Sequence, residues 1–167
     1  MSIIGIDPSL TGTGLAYADQ TRTVRTDAKT ERRLAVIHDT VLQLLPGHTL
    51  AVIEDLPTHA HGAGLTGMAQ GVIRLACEHT GVPYTTVPAA TLKKFATSRG
   101  NATKPDMRLE LFKRTGLDLR DDNQVDAWWL RQIGLHLKLH RPVFVMEKSG
   151  YLFDAIPRRN LDAPVTV

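Results

Sequence analysis

Two short apolar runs, each closed by an acidic residue, constrain the fold of this chain most strongly. The first is Ile3-Ile4-Gly5-Ile6 followed by Asp7, and the second is Leu50-Ala51-Val52-Ile53 followed by Glu54. A strand that is apolar without alternation is covered on both of its faces, usually by helices. The two runs therefore predict buried strands of an α/β sheet, with a carboxylate at the carboxyl end of each.

The remaining patterns predict helices and further strands around these two. Gly12 and Gly14 mark a tight turn, so residues 15–17 return as a hairpin and residues 21–26 form a third, edge strand. Apolar spacing with Gly and Pro stops predicts helices at 28–45, 68–80, 89–95, 106–115 and 122–140, and a strand at 82–87. We therefore expect an α/β domain with a mixed central sheet of about five strands, the first three antiparallel, flanked by helices.

The segment between the second run and the next strand carries a glycine-rich stretch. It predicts a loop at residues 62–67, with His59 and His61 just before it as solvated loop residues. The helix that follows has an apolar stripe made of Met68, Val72, Leu75 and Ala76. This stripe predicts a core-facing surface, and a dimer interface is the alternative.

Length and composition predict one domain. A chain of 167 residues with 43% hydrophobic residues suits a domain at residues 1–142, followed by an extension of unassigned structure at 143–167. The single cysteine, Cys77, excludes an internal disulfide and a cysteine-based zinc cluster. No apolar stretch approaches the roughly 20 residues of a membrane helix, and no signal-peptide pattern opens the chain. We expect an unprocessed cytoplasmic protein that does not associate with membranes.

Acidic residues stand at three positions where core-building residues would be expected: Asp7, Glu54 and Asp126. On the last predicted helix, Asp122 and Asn123 share a face with Asp126. Clustered carboxylates are unfavourable unless a cation neutralises them. Oxygen ligands without cysteine favour Mg²⁺ or Mn²⁺, and two such ions about 3.5–4 Å apart would clamp a phosphodiester. Each acid alone also fits a helix cap, a turn or a solvated loop, but the ordered set favours a metal site.

Basic residues are concentrated between Leu92 and Arg120. Eight Lys and Arg residues there stand against three acidic ones, a local charge of +5 compared with +3 for the whole chain. Such a cluster predicts salt-dependent contacts with the phosphates of a nucleic acid, and a solvated helix face is the alternative for any one residue. The candidate DNA-binding residues are Lys93, Lys94, Arg99, Lys104 and Arg108.

Four segments also carry motifs in a fixed order. They are Ile4-Gly5-Ile6-Asp7-Pro8-Ser9-Leu10-Thr11-Gly12-Thr13-Gly14, then Val52-Ile53-Glu54, then residues 88–104 with Leu92-Lys93-Lys94 and Gly100-Asn101-Ala102-Thr103-Lys104, then Asn123-Gln124-Val125-Asp126-Ala127. Together they resemble the motifs of RuvC-type Holliday-junction resolvases, in the RNase H-like nuclease superfamily. The resemblance covers roughly residues 2–135 and looks like a compact, phage-like branch.

The resemblance implies an RNase H-like fold and a homodimeric, Mg²⁺-dependent endonuclease with two ions in each active site. Such an enzyme nicks two strands symmetrically across a four-way DNA junction, and a phage-like member would act in the host cytoplasm, on other branched DNA too. It makes Asp7, Glu54 and Asp126 metal ligands. Asn123 stands where the family usually has Asp or His, so Asn123 and Asp122 are both candidates for a fourth ligand.

Two other functions fit parts of the sequence. A non-catalytic, junction-binding recombination accessory protein is expected if Asn123, which cannot act as a base, removes the chemistry. A nucleotide-binding protein of the actin-like class would use the loop from Asp7 to Gly14 for phosphate. The short chain and its basic cluster argue against the second of these.

Overall fold

The structure, a computed structural model, describes residues 2–56 and 63–139. Its five strands are β1 (Ile3–Asp7), β2 (Thr13–Tyr17), β3 (Gln20–Val24), β4 (Leu50–Glu54) and β5 (Tyr84–Val87). Its five helices are α1 (Thr30–Leu44), α2 (Ala63–Thr80), α3 (Ala89–Thr97), α4 (Lys104–Thr115) and α5 (Asp122–Leu139). Within this part of the chain, no helix has the length and apolar character needed to cross a membrane.

The strands form one mixed sheet in the order β3-β2-β1-β4-β5. The pairs β1–β2 and β2–β3 are antiparallel, whereas β1–β4 and β4–β5 are parallel. The predicted α/β class, the mixed sheet of five strands and the antiparallel arrangement of the first three are therefore confirmed.

The central strands are covered on both faces, which explains why their sequences do not alternate. Ile3 and Val52 belong to a core shared with α3, α4 and α5. Ile4 and Ile53, one residue further along each strand, belong to a second core shared with α1 and α2. Because successive strand side chains point to opposite faces, both sets must be apolar.

Two glycines on the sheet let α5 lie directly against it. A Cβ on Gly5 of β1 would overlap the Ala127 carbonyl oxygen, and a Cβ on Gly14 of β2 would overlap the Asn123 carbonyl oxygen. Side chains at these positions would hold the helix away from the sheet. The glycines therefore fix the helix height over β1 and β2, and with it the height of Asp126.

Helix α2 corrects two predictions. It begins at Ala63, so Gly64 and Gly67 are helical and the predicted loop at 62–67 is wrong from residue 63 onward. Packing of its inner face against the sheet outweighs the weak helix propensity of glycine. Ala76 is buried as predicted, but Met68 and Leu75 of the predicted core stripe are 48% and 47% exposed.

The inner face of α2 holds the only cysteine of the chain. Cys77 is 1% exposed, and burial raises the pKa of its thiol to about 12. The predictions for His59, His61 and the extension at 143–167 lie outside the described residues.

Candidate metal centre

Three carboxyl groups meet at one edge of the sheet. Asp7 and Glu54 end the neighbouring parallel strands β1 and β4, whose register pairs Ile6 with Ile53. Asp126 comes down onto them from α5. Each of the three offers an oxygen within 4.8 Å of the others. The two aspartates are 7% and 4% exposed and Glu54 is half-buried, so the structure brings together the three acids that the sequence singled out.

Burial and mutual repulsion make this cluster hard to ionise. Burial, then the charge of Glu54 and a hydrogen bond with it, holds the pKa of Asp7 well above its usual value. Burial also raises the pKa of Glu54 and of Asp126. A divalent cation would offset these costs, because it stabilises the charged form of every carboxylate it contacts.

One positive charge already lies in the cluster. The Lys104 ammonium donates to Asp126 Oδ2, and the lysine side chain is 47% exposed. Although burial opposes it, the Asp126 carboxylate raises the pKa of Lys104. Lys104 is the first residue of α4, whose start is fixed by a capping box between Thr103 and Asp106. This predicted DNA contact is therefore placed inside the acidic cluster.

Two cavities open at this edge and share a wall. The smaller, about 250 Å³, is lined by Asp7 and Glu54 together with Lys104 and Asn123. The larger, about 580 Å³, is bounded by Lys104 and Asn123 as well, and it extends to Arg25. Asn123 therefore faces the acidic cluster.

The other acids at the start of α5 have partners of their own. Asp122 lines the larger cavity and accepts a hydrogen bond from Arg108 at 2.9 Å. Asp121 accepts the backbone N–H of Asn123 at 3.0 Å and the Arg25 guanidinium at 2.9 Å. Asp121 thus caps the first turn, while Asp122 is held at the outer side of the cluster.

The candidate DNA-binding residues occupy different settings. Burial raises the pKa of Glu54 and Asp126, and Lys93 lies close enough for its charge to oppose that rise. Lys94 follows Lys93 on α3. Arg99 pairs with Asp106 at 3.2 Å. Arg108 donates to Asp122 and also to a backbone carbonyl, that of Arg120. The positive charge of this region is thus partly neutralised within the fold.

Sequence reasoning missed Arg25 as a site residue. It follows the edge strand β3, is 63% exposed and lines the larger cavity, where Asp121 holds it from 96 positions away. No local pattern marks such a pairing. The sequence shows only a basic residue near the end of the predicted edge strand.

Comparison with known proteins identifies the family. No family model matches the chain. A crossover junction endodeoxyribonuclease RuvC from Moorella thermoacetica is 35% identical over 144 residues, covering 76% of this chain and 86% of that protein. The chain belongs to the RuvC family. Membership confirms the resemblance that the four ordered motifs indicated.

Solved RuvC structures share the fold. A structure of Thermus thermophilus RuvC superimposes with a TM-score of 0.72 at 22% identity, over 84% of this chain and 97% of that one. A structure of T. thermophilus RuvC in complex with a Holliday junction substrate gives 0.73 at 22% identity, over 84% and 96%. The RNase H-like fold is thereby confirmed.

Membership of the RuvC family implies a divalent metal ion, and the residues present fit one. The donors are all carboxylate oxygens, which hard divalent cations prefer, and they converge within 4.8 Å. Asn123 adds an amide on the same cavity wall. The three carboxylates carry more negative charge than the ammonium of Lys104 neutralises, so the cluster can accept a further cation.

Proposed function

We propose that this protein is a metal-dependent endonuclease that nicks branched DNA, above all four-way junctions, by phosphodiester hydrolysis. Its Moorella relative is named a crossover junction endodeoxyribonuclease, and its Thermus neighbour was solved with a Holliday junction substrate. The observation that carries the proposal is the set of buried carboxylates of Asp7, Glu54 and Asp126 at an open cavity.

In this proposal Asp7, Glu54 and Asp126 hold two Mg²⁺ ions, which Mn²⁺ can replace. Such ions, when bound, activate a water for attack and stabilise charge on the leaving oxygen. The fourth ligand is Asn123 rather than Asp122, because Asn123 lines the acidic cavity while Asp122 is paired with Arg108. As an amide, Asn123 would bind an ion through its side-chain carbonyl oxygen and would not accept a proton.

DNA would lie across the two adjoining cavities. Lys93 approaches the acidic cluster from α3, and Arg25 borders the larger cavity from the far side. Lys93 near the carboxylates and Arg25 at the larger cavity would hold phosphates that flank the scissile bond. Lys94 and Arg99, on and just after α3, extend this surface, and Arg108 contributes by holding Asp122 in place.

The enzyme would act as a homodimer through the outer face of α2. Met68 and Leu75 are each about half exposed, and Leu65 is 61% exposed. Gly64 and Gly71 complete the same face at helical spacing, and beyond the adjacent residues and backbone of α2 no described atom lies within 4 Å of a Cβ at either position. An apolar helix face with glycines allows a second backbone to approach closely. A two-fold copy would present two centres to two strands.

The decisive experiment measures cutting of fixed four-way junction, flap, fork and linear duplex, with and without Mg²⁺. Wild type should cut the junction only with the metal. Asp7→Asn and Asp126→Asn should still bind the junction but cut it roughly 10³-fold more slowly, because a ligand carboxylate is lost.

Asp39→Asn is the matched control, since Asp39 lies exposed on α1 beside His38 and should cut as wild type does. Wild-type cutting by either site variant would disprove the ligand set. Junction binding without cutting, in Mg²⁺ and in Mn²⁺, would favour the accessory protein, the alternative that Asn123 raises. Asn123→Asp should then restore cutting.

A further inference from the structure

Lys104 is an unusual residue for the start of a helix. It is the first residue of α4, directly after the N-cap Thr103. A positive side chain at that end is disfavoured by the helix dipole, which favours acids in the first turn. Asp106 already completes the capping box, so α4 gains nothing from the charge of Lys104. The cause of its position must lie outside the helix.

That cause is the acidic cluster. The ammonium contacts Asp126 directly, and its charge also acts on Asp7 and Glu54. Asp126 is only 4% exposed, and a buried carboxylate without a partner is costly. Lys104 therefore places a cation beside a carboxylate that needs one.

We propose that Lys104 is a built-in counter-cation, which stabilises the cluster while no metal is bound and competes with the divalent ion for Asp126. This inference rests on the metal site proposed above. A protein with three converging carboxylates has to fold and persist before it is loaded. A tethered ammonium lets it do so, and it lowers metal affinity in exchange.

The Lys104 ammonium also has open space into which it can move. Lys104 borders both cavities, and its side chain is about half exposed. Rotation about its side-chain bonds would carry the charge from Asp126 toward the larger cavity without moving α4. Metal binding thus requires only a side-chain movement.

The test is Lys104→Met, which keeps the length and the helix propensity and removes the charge. Without metal, in EDTA, the melting temperature of the variant should lie about 2–4 °C below that of wild type. The helix dipole alone predicts the opposite sign, a small rise in melting temperature. By calorimetric titration, Mn²⁺ should bind the variant roughly tenfold more tightly or better, because a competing charge a few ångströms away is gone.

Lys113→Met is the matched control. Lys113 lies on the same helix, paired with Glu110 at 3.1 Å, and its removal should change neither quantity. Lys104→Arg keeps the charge and should stay close to wild type in EDTA, which covers the case in which Lys104→Met fails to fold.

Three outcomes would overturn the proposal. They are a Lys104→Met protein with unchanged or raised metal-free stability, an unchanged Mn²⁺ affinity, or a Lys104→Arg protein as unstable as the methionine variant. Absence of Mn²⁺ binding by both proteins would overturn it together with the metal site. Failure to cut junctions despite tight Mn²⁺ binding would count only against the nuclease function.

Discussion

Helices α5 and α2 lie on opposite faces of one sheet, and their glycines have opposite surroundings. A Cβ on Gly134 of α5 would run into Ile3 and Val52 of the sheet, whereas a Cβ on Gly71 of α2 has no described atom within 4 Å beyond the adjacent residues and backbone of its own helix. A glycine inside a helix costs about 1 kcal/mol relative to alanine. On α5 the close packing against the sheet accounts for the glycine. On α2 nothing within the described chain does, which is what an interface for a second molecule would look like.

The largest effect is expected on the α5 side. Gly14→Ala would push the Asn123 carbonyl, and α5 with it, off the sheet. We expect a loss of about 3 kcal/mol or more in the free energy of unfolding, measured by urea titration. Cutting should fall as well, because Asp126 would leave Asp7. Near-wild-type stability would show that α5 tolerates a greater distance from the sheet than the packing indicates.

The second test addresses the α2 face. Leu75→Glu places a charge in the proposed interface and should convert a dimer into an 18.4 kDa monomer, measured by sedimentation. Leu109→Glu is the control, since Leu109 is 51% exposed on α4, away from this face, and should leave the mass unchanged. If wild type is already monomeric at high concentration, the outer face of α2 is not a dimer interface.

The third test measures how the stability of the metal-free protein depends on pH, which reports on the carboxyl cluster beneath α5. Folding raises the pKa of Asp7, Glu54 and Asp126, so the folded chain binds protons more tightly than the unfolded chain. Their protonated forms stabilise the metal-free fold at low pH, and this contribution is lost as pH rises through the raised values. In EDTA these three groups should therefore make the melting temperature fall as pH rises from the ordinary carboxyl range toward neutrality.

The drop should be a few degrees smaller in Asp7→Asn, which lacks the carboxyl with the strongly raised pKa. It should also shrink in wild type with Mn²⁺, because a bound cation favours the ionised carboxylates. Identical pH dependence in wild type and Asp7→Asn would mean that Asp7 titrates in the folded protein as it does in the unfolded chain.

The smallest effect is expected from a glycine-to-alanine substitution on the outer face of α2. Gly71→Ala meets only open space, so it should raise monomer stability by about 0.5–1 kcal/mol through helix propensity. The added methyl groups should also weaken association. A Gly71→Ala protein that associates more tightly would contradict a close approach of two α2 helices.

The sequence was sufficient for the parts of the site that local patterns control. Unalternating strands located Asp7 and Glu54, and parallel pairing of neighbouring strands places their ends together. Helical spacing placed Asn123 beside Asp126, and the structure has it on the cavity wall. Four ordered motifs identified the family.

Long-range pairings could not be predicted in the same way. Lys104 fits a DNA-binding pattern equally well whether it faces solvent or Asp126, and only the packing of α4 against α5 decides between these. The start of α2 was misjudged because glycine signals a break locally, while burial of Ala69 and Ile73 rewards continuing the helix. In both cases a tertiary contact outweighed a local preference.

The sheltered thiol of Cys77 gives this chain a practical property. A sulfhydryl that stays protonated and out of reach of solvent will not react with maleimides at neutral pH. A single cysteine introduced elsewhere could therefore carry a spin label or a fluorophore without first deleting the native one. Distances between labels on two copies would then test the proposed association through α2.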